Sequence, residues 1–332
     1  MNNRPIPIAL DGMGGDYGPQ ETVAGAVQAA AGGQIAVLLV GDPDALEREL
    51  RLQGAQGLPI HIVPAHGVVQ EGEPPVQALR QKPRASIAVC AGLVKEGKAQ
   101  GFVSMGSTGA AMVAATLALG LLEGVERPAL GGPILGFAPK TLILDLGSHV
   151  DCRPSMLVTF AALGVAFARR FLGVEHPRVA LLSVGAEEGK GNQQVKEAYA
   201  LLKASPLPFV GNLEGHELPQ GKAEVVVCDG FVGNILMKLA EGLGEALARW
   251  LRQRLPDRPT MAQEIYDMLN VVENHGGGPI FGVRGVAVVG HGRSRAPAIA
   301  RALHTARRCV EVGLVEEMER ELARLAPSLR QR

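Results

Sequence analysis

The 332-residue chain is predicted to be an α/β protein of three layers, with helices on both faces of a mostly parallel sheet. Two observations predict this. Short apolar runs alternate with stretches of helical periodicity, the rhythm of repeated βαβ units. The runs are also continuously apolar, as strands buried on both faces must be.

In chain order, a strand at residues 5–10 leads through Asp11-Gly12-Met13-Gly14-Gly15-Asp16 to a helix at 21–31. A strand at 35–40 is followed by a helix at 44–53, and a third strand lies at 59–63. The strand at 100–104 runs into Ser104-Met105-Gly106-Ser107-Thr108-Gly109-Ala110, which opens a helix at 108–119. A strand at 141–145 precedes the helix 154–170. The strand 178–184 passes through Val184-Gly185-Ala186-Glu187-Glu188-Gly189-Lys190-Gly191-Asn192 to a helix at 193–203. The strand 224–228 ends at Cys228-Asp229-Gly230-Phe231-Val232-Gly233-Asn234, and Asn234 reads as the cap of a long helix to residue 255, stopped by Pro256. The last strand, 286–289, leads through Gly290-His291-Gly292-Arg293-Ser294 to a helix at 296–312. No internal repeat or low-complexity linker interrupts this order, so residues 1–332 read as a single domain.

Within it, residues 235–270 form a helical hairpin. Leu236, Leu239, Ala240, Leu243, Leu247, Trp250 and Leu251 recur at spacings of three and four, with Lys238, Glu241, Glu245, Arg249 and Arg252 off that stripe. The stripe is expected to face the core or a partner; the sharper alternative is a surface for a membrane or an acyl chain.

Composition narrows the function. Lys plus Arg and Asp plus Glu both number 33, so no net field draws the chain to nucleic acid. Cys90, Cys152, Cys228 and Cys309 are widely spaced in apolar runs and read as buried small hydrophobes. With no signal peptide and no apolar run of about 18 residues, a cytoplasmic protein is expected.

Glycine, at 43 residues, clusters in the five loops that follow strand ends. Ligands of open α/β sheets bind outside the carboxyl ends of the strands. Glycine there lets backbone N–H groups point at an anion, and a helix N-terminus adds partial positive charge. Five such loops are expected to line one crevice. No GxxxxGK[ST] loop, GxGxxG fingerprint or GxSxG elbow occurs, and the eight histidines have no metal-ligand spacing. His149 lies three residues before Cys152 without other signs of a nucleophile and its base. A reaction in which phosphate itself is the nucleophile, with no cofactor and no metal, fits better.

In this order, the segments Ala9-Leu10-Asp11-Gly12-Met13-Gly14-Gly15-Asp16, Leu144-Asp145-Leu146-Gly147, Glu187-Glu188-Gly189-Lys190-Gly191-Asn192, Gly211-Asn212-Leu213-Glu214-Gly215, Asp229-Gly230-Phe231-Val232-Gly233-Asn234 and Gly276-Gly277-Gly278-Pro279 closely resemble the bacterial phosphate acyltransferase family, the PlsX-type acyl-carrier-protein:phosphate acyltransferases. The resemblance covers essentially the whole chain. It implies an isocitrate-dehydrogenase-like fold, a homodimer and conversion of acyl-[acyl-carrier protein] plus inorganic phosphate to acyl phosphate plus free carrier. The acyl phosphate would feed a glycerol-3-phosphate acyltransferase in phospholipid synthesis. The resemblance also implies peripheral contact with the inner face of the membrane. Lys190 and Asn234 match the family's essential lysine and asparagine. Asp11, Gly14, Gly15, Ser107, Thr108, Gly109, Asp229, His291, Gly292 and Ser294 are the expected phosphate- or substrate-binding positions. The chain departs from the family's usual residues at Ser107, at Ser148-His149, at Ala186 and at His216-Glu217.

An acidic carrier would need a basic face, for which Arg249, Arg252, Arg254, Arg258, Arg293 and Arg295 are candidates. Three other readings compete: a phosphotransacetylase acting on acyl-coenzyme A, a decarboxylating dehydrogenase of similar fold, and a non-catalytic lipid-synthesis scaffold.

Overall fold

The computed structural model describes residues 4–330; the extreme ends of the expected domain, 1–3 and 331–332, lie outside the described residues. The elements in chain order are β1 (Ile6–Asp11), α1 (Gln20–Ala30), β2 (Ile35–Gly41), α2 (Pro43–Leu52), β3 (Ile60–Pro64), α3 (Pro75–Gln81), α4 (Ser86–Lys95), β4 (Gly101–Ser104), α5 (Thr108–Leu119), β5 (Ala129–Gly132), β6 (Leu142–Leu144) and α6 (Pro154–Arg170). They continue as β7 (Val179–Ser183), α7 (Gln193–Lys203), β8 (Phe209–Glu214), β9 (Val225–Val227), α8 (Gly230–Arg254), α9 (Pro259–Leu269), α10 (Val271–Asn274), β10 (Gly278–Phe281), β11 (Val286–Val289), α11 (Ala296–Glu311) and α12 (Leu314–Arg330).

The chain forms two compact units. One comprises the residues up to Leu121 with Glu273–Val315; the other comprises Leu122–Val272 with the chain from Glu316 onward. The first unit has strand order β3-β2-β1-β4-β11-β10, parallel except for the β10–β11 pair. Ile8, Leu10, Val37, Leu39, Phe102 and Val103 are fully buried there, because helices cover the strands and no alternation is needed.

The second unit has order β5-β6-β9-β7-β8, parallel except for β5–β6. One of its core clusters gathers Ile134, Ile143, Leu146, Ala180, Leu213 and Val226. The central helix α6 buries every residue from Met156 to Ala168. Each unit is therefore a mostly parallel mixed sheet within an α/β fold.

The predicted strands and helices form with ends shifted by a residue or two, except that α8 starts at Gly230, four residues before Asn234. Strands β5, β8 and β10 were not predicted. Their sequences carry glycine or proline (Ala-Leu-Gly-Gly, Phe-Val-Gly-Asn-Leu-Glu, Gly-Pro-Ile-Phe), and pairing with a neighbour makes them strands where local propensity does not. Helices α3, α4, α10 and α12 were also unpredicted, although Leu314, Met318, Leu322 and Leu325 recur at helical spacing in α12.

Part of the apolar stripe of α8 packs inward and part lies exposed. Gly233, Ala240, Glu241, Gly244 and Ala248 are buried, whereas Leu239, Leu243, Leu247 and Trp250 are 42–55% exposed. Small residues bring the α9 end of the pair close: a methyl group at Gly244 would stand 2.9 Å from Leu269 Cβ. Glu241, expected outside the buried stripe, is 6% exposed and accepts from Lys238 at 2.9 Å. Among the described residues no helix is long and apolar enough to cross a membrane.

Candidate active site

In the first unit β1, β4 and β11 are parallel, with β4 pairing both others, so the loops leaving their carboxyl ends emerge on the same side. Asp11 ends β1. Its carboxyl group is turned inward, accepting from the Ser104 hydroxyl at 2.8 Å and from the Met13 N–H at 3.3 Å. Burial pushes this carboxyl above its ordinary range, and hydrogen bonds, that from Ser104 among them, pull the other way. Ser104 Oγ also accepts from the Gly106 N–H at 3.1 Å, coupling the loop after β4 to the loop after β1.

Gly14 sits against this junction. A methyl group there would lie 2.6 Å from Asp11 Oδ2 and 2.9 Å from Gly106 N, closer than real Cβ contacts come. The loop after β11 joins through Asp16 N to Gly292 O at 2.8 Å and Gly290 N to Ser104 O at 3.0 Å. The unit thus brings together the three loops that carry Asp11, Gly14, Gly15, Ser107, Thr108, Gly109, His291, Gly292 and Ser294. Ser107 is the N-cap residue of α5, and no side chain caps that helix. An uncapped helix N-terminus is a ready anion site. Ser294 is 3% exposed and its hydroxyl has no hydrogen-bond partner among the described residues. Two of the arginines considered for a basic face are paired: Arg293 with Glu273 at 3.3 Å, and Arg295 with Glu21 at 3.2 Å.

In the second unit the remaining candidates lie after β9 and β7. Asp229 caps α8, its carboxylate accepting from Val232 N at 2.9 Å. Asn234 therefore is not the helix cap. The helix starts earlier because Gly230 N donates to His149 O at 2.8 Å and Asp229 supplies the capping oxygen. Asn234 stands beyond the first turn, exposed. Lys190 is exposed in the loop between β7 and α7. That loop is fixed at both ends, by Asn192 capping α7 through Val195 N at 2.9 Å and by Asn212 Nδ2 donating to Glu187 O at 2.9 Å. Gln194 Nε2 donates to Cys152 O at 2.5 Å, tying the start of α7 to the segment that follows β6.

Asp145, not among the expected site positions, lies beneath the start of α8. It is 0% exposed, and its carboxylate accepts backbone N–H groups from Leu130, Gly147, Ser148 and His149. The signal was present: like Asp11, it directly follows an apolar strand and precedes a glycine-containing turn. Ser148 and His149, where the chain departs from the family's usual residues, both bond to neighbouring backbone. Ser148 Oγ accepts from Leu130 N at 2.9 Å, and His149 Nε2 lies 2.7 Å from Pro128 O. The Cys152 thiol meets the His149 carbonyl at 3.4 Å rather than its ring. Burial above all, with Asp145 adding to it, pushes this thiol up to about 12, so it stays protonated near neutral pH. Among the described residues no group of three or more His, Cys, Asp or Glu side chains is placed to hold a metal ion.

Parallel strands ending in glycine-rich, donor-bearing loops define an α/β protein whose fold is shared with phosphotransacetylases. A phosphotransacetylase from Streptococcus pyogenes matches with a TM-score of 0.62 at 16% identity, over 92% of this chain and 94% of that one. The 4-hydroxythreonine-4-phosphate dehydrogenase of Klebsiella pneumoniae matches with 0.55 at 15% identity, over 92% and 98%. At these identities the likeness is one of fold. The chain belongs to the family described as fatty acid synthesis protein, whose model matches residues 6–317. It is 44% identical over 318 residues to a phosphate acyltransferase of a Cyanothece species, covering 92% of each chain. It is 41% identical over 328 residues to a phosphate acyltransferase of Desulfitobacterium hafniense, covering 96% of this chain and 97% of that one. The protein is an acyltransferase enzyme.

Proposed function

We propose that the enzyme transfers a long-chain acyl group from acyl-carrier protein to inorganic phosphate. The supporting observation is near-full-length identity to phosphate acyltransferases together with the three tied loops of the first unit. Phosphate is held by backbone N–H groups at the start of α5, with Ser107, Thr108 and Ser294 as hydroxyl partners; Asp11 shapes the loops from beneath. Within the second unit, Lys190 offers a compact positive charge and Asn234 an amide donor suited to a thioester oxygen as it gains charge.

In the reaction, a phosphate oxygen attacks the thioester carbonyl carbon. The carbonyl oxygen gains charge in the tetrahedral intermediate, the C–O bond forms and the C–S bond breaks. The carrier leaves as a thiolate that takes a proton from water. Phosphate is already anionic near neutral pH, so no protein base is needed to activate it. One well-placed donor to the oxyanion lowers the barrier by about 3 kcal/mol.

This reading includes a homodimer, for which the exposed apolar edge of α8 is an available surface, and supply of acyl phosphate to glycerol-3-phosphate acylation. Carrier docking on Arg249, Arg252, Arg254 and Arg258 predicts initial rates that fall as salt rises.

The deciding experiment incubates the enzyme with palmitoyl-carrier protein, with and without phosphate, and traps acyl phosphate with hydroxylamine. Phosphate-dependent release of free carrier with trapped hydroxamate is expected. Turnover with palmitoyl-coenzyme A but not with the carrier thioester would replace this reading by the phosphotransacetylase one.

A further inference from the structure

The geometry points to Asp145 as a positioning residue for acyl transfer: its carboxylate fixes the loop and the helix turn that set Asn234. This rests on the reading of Asn234 given above. Oδ1 of Asp145 accepts from Leu130 N at 3.2 Å, Gly147 N at 3.2 Å and Ser148 N at 3.1 Å, and Oδ2 accepts from His149 N at 2.8 Å. Four backbone donors from two segments thus close around one buried acceptor. Charge-assisted bonds of this kind are stronger than neutral ones and hold their donors tightly. At 0% exposure Asp145 touches no substrate, so it acts through what it holds.

What it holds is the platform under Asn234. The first turn of α8 is pressed onto the wrapped loop: Gly230 N donates to His149 O at 2.8 Å, and a methyl group at Gly230 would stand 2.8 Å from Asp145 Oδ2. At Gly233 a methyl group would overlap the Asp145 carbonyl. Gly147, at φ +131°, backs onto Asn234 itself, and a methyl group there would lie 3.3 Å from its Cβ and Oδ1. The bonds of Ser148 and His149 to Leu130 and Pro128 tie the same loop down from its other side. An amide aimed at a developing oxyanion must be placed closely, since a displacement of about 1 Å costs on the order of a hundredfold in rate.

Asp145→Asn replaces an accepting oxygen with a donor. It is expected to lower kcat about tenfold to a hundredfold and to leave KM for phosphate unchanged. Amide hydrogen exchange should quicken at residues 147–149 and 230–234. The double variant with Asn234→Ala should be no slower than Asn234→Ala alone, a non-additivity that a merely structural role would not produce. Normal kcat, or losses that simply add, would overturn the inference. If Asp145→Asn does not fold, Gly147→Ala crowds Asn234 with Asp145 intact and should show the same kinetics; normal kcat there overturns it equally. Asn234→Ala assayed alone keeps the two ideas apart. Full turnover in that variant defeats the reading of Asn234, and the positioning role with it; lost turnover there beside normal turnover in Asp145→Asn defeats the positioning role only.

Discussion

The Ser104 hydroxyl donates to the buried carboxyl group of Asp11 at 2.8 Å, and the same oxygen receives the Gly106 N–H at 3.1 Å. One side chain therefore joins two strand-end loops. Ser104→Ala removes a partner from each end of this chain and should destabilise the protein by about 1–3 kcal/mol. If these loops hold phosphate, KM for phosphate should rise while kcat changes little. Urea unfolding and steady-state kinetics measure the two effects, and an unchanged urea midpoint would contradict the first.

Lys190 lies exposed on a loop fixed at both ends, so its removal should not disturb packing. Lys190→Ala is expected to lose activity by about a hundredfold or more with an unaltered melting temperature. Lys190→Arg should restore little, because a planar fork does not substitute for a compact point charge. Wild-type turnover in Lys190→Ala would remove the residue from the mechanism.

Glu321 bonds Arg169 and Arg324, and Glu317 bonds Arg170 and Arg320, fastening α12 beside α6. Both carboxylates are buried, at 4% and 6% exposure, while their partners retain contact with water. Glu321→Ala deletes the shared acceptor and should cost about 3 kcal/mol, the low end for a broken buried pair, because the arginines left behind can be rehydrated. A shift in the urea midpoint at constant m-value tests this.

Glu224 gives a pH dependence of known sign. Burial raises its carboxyl pKa, but hydrogen bonds from the Arg178 guanidinium and N–H outweigh burial, and the net shift is below 4.5. A depressed carboxyl pKa stabilises the fold above the unfolded value, and that stability is lost as pH falls through the folded value. Wild-type stability should therefore decline below about pH 4.5, and Glu224→Gln should show a shallower decline. Parallel acid-unfolding slopes for the two proteins would contradict this.

Much of the architecture is legible in local sequence. The apolar stretch around Val225–Val227 is a strand because nothing in it can face water, and α7 begins where Asn192 supplies a cap. The glycine-rich loops of the candidate site are legible by the same logic, since glycine clusters follow strand ends. Asp145 was not, because its role depends on which backbone donors surround it, and Leu130 approaches it only in the folded unit. The packing of α8 was only partly legible, because periodicity identifies a stripe without identifying what packs on it; steric fit put the small residues Ala240, Gly244 and Ala248 inside.

By itself, the sequence determined most strands, most helices and the positions of the glycine-rich turns, because short-range patterning and glycine chemistry act within a few residues. Only tertiary structure decided that Ser104 reaches Asp11, that Asp145 gathers four N–H groups, and that Asp229 rather than Asn234 caps α8. The long-range bonds among these require strand pairing to bring distant segments within about 3 Å, and the capping choice depends on where His149 meets Gly230.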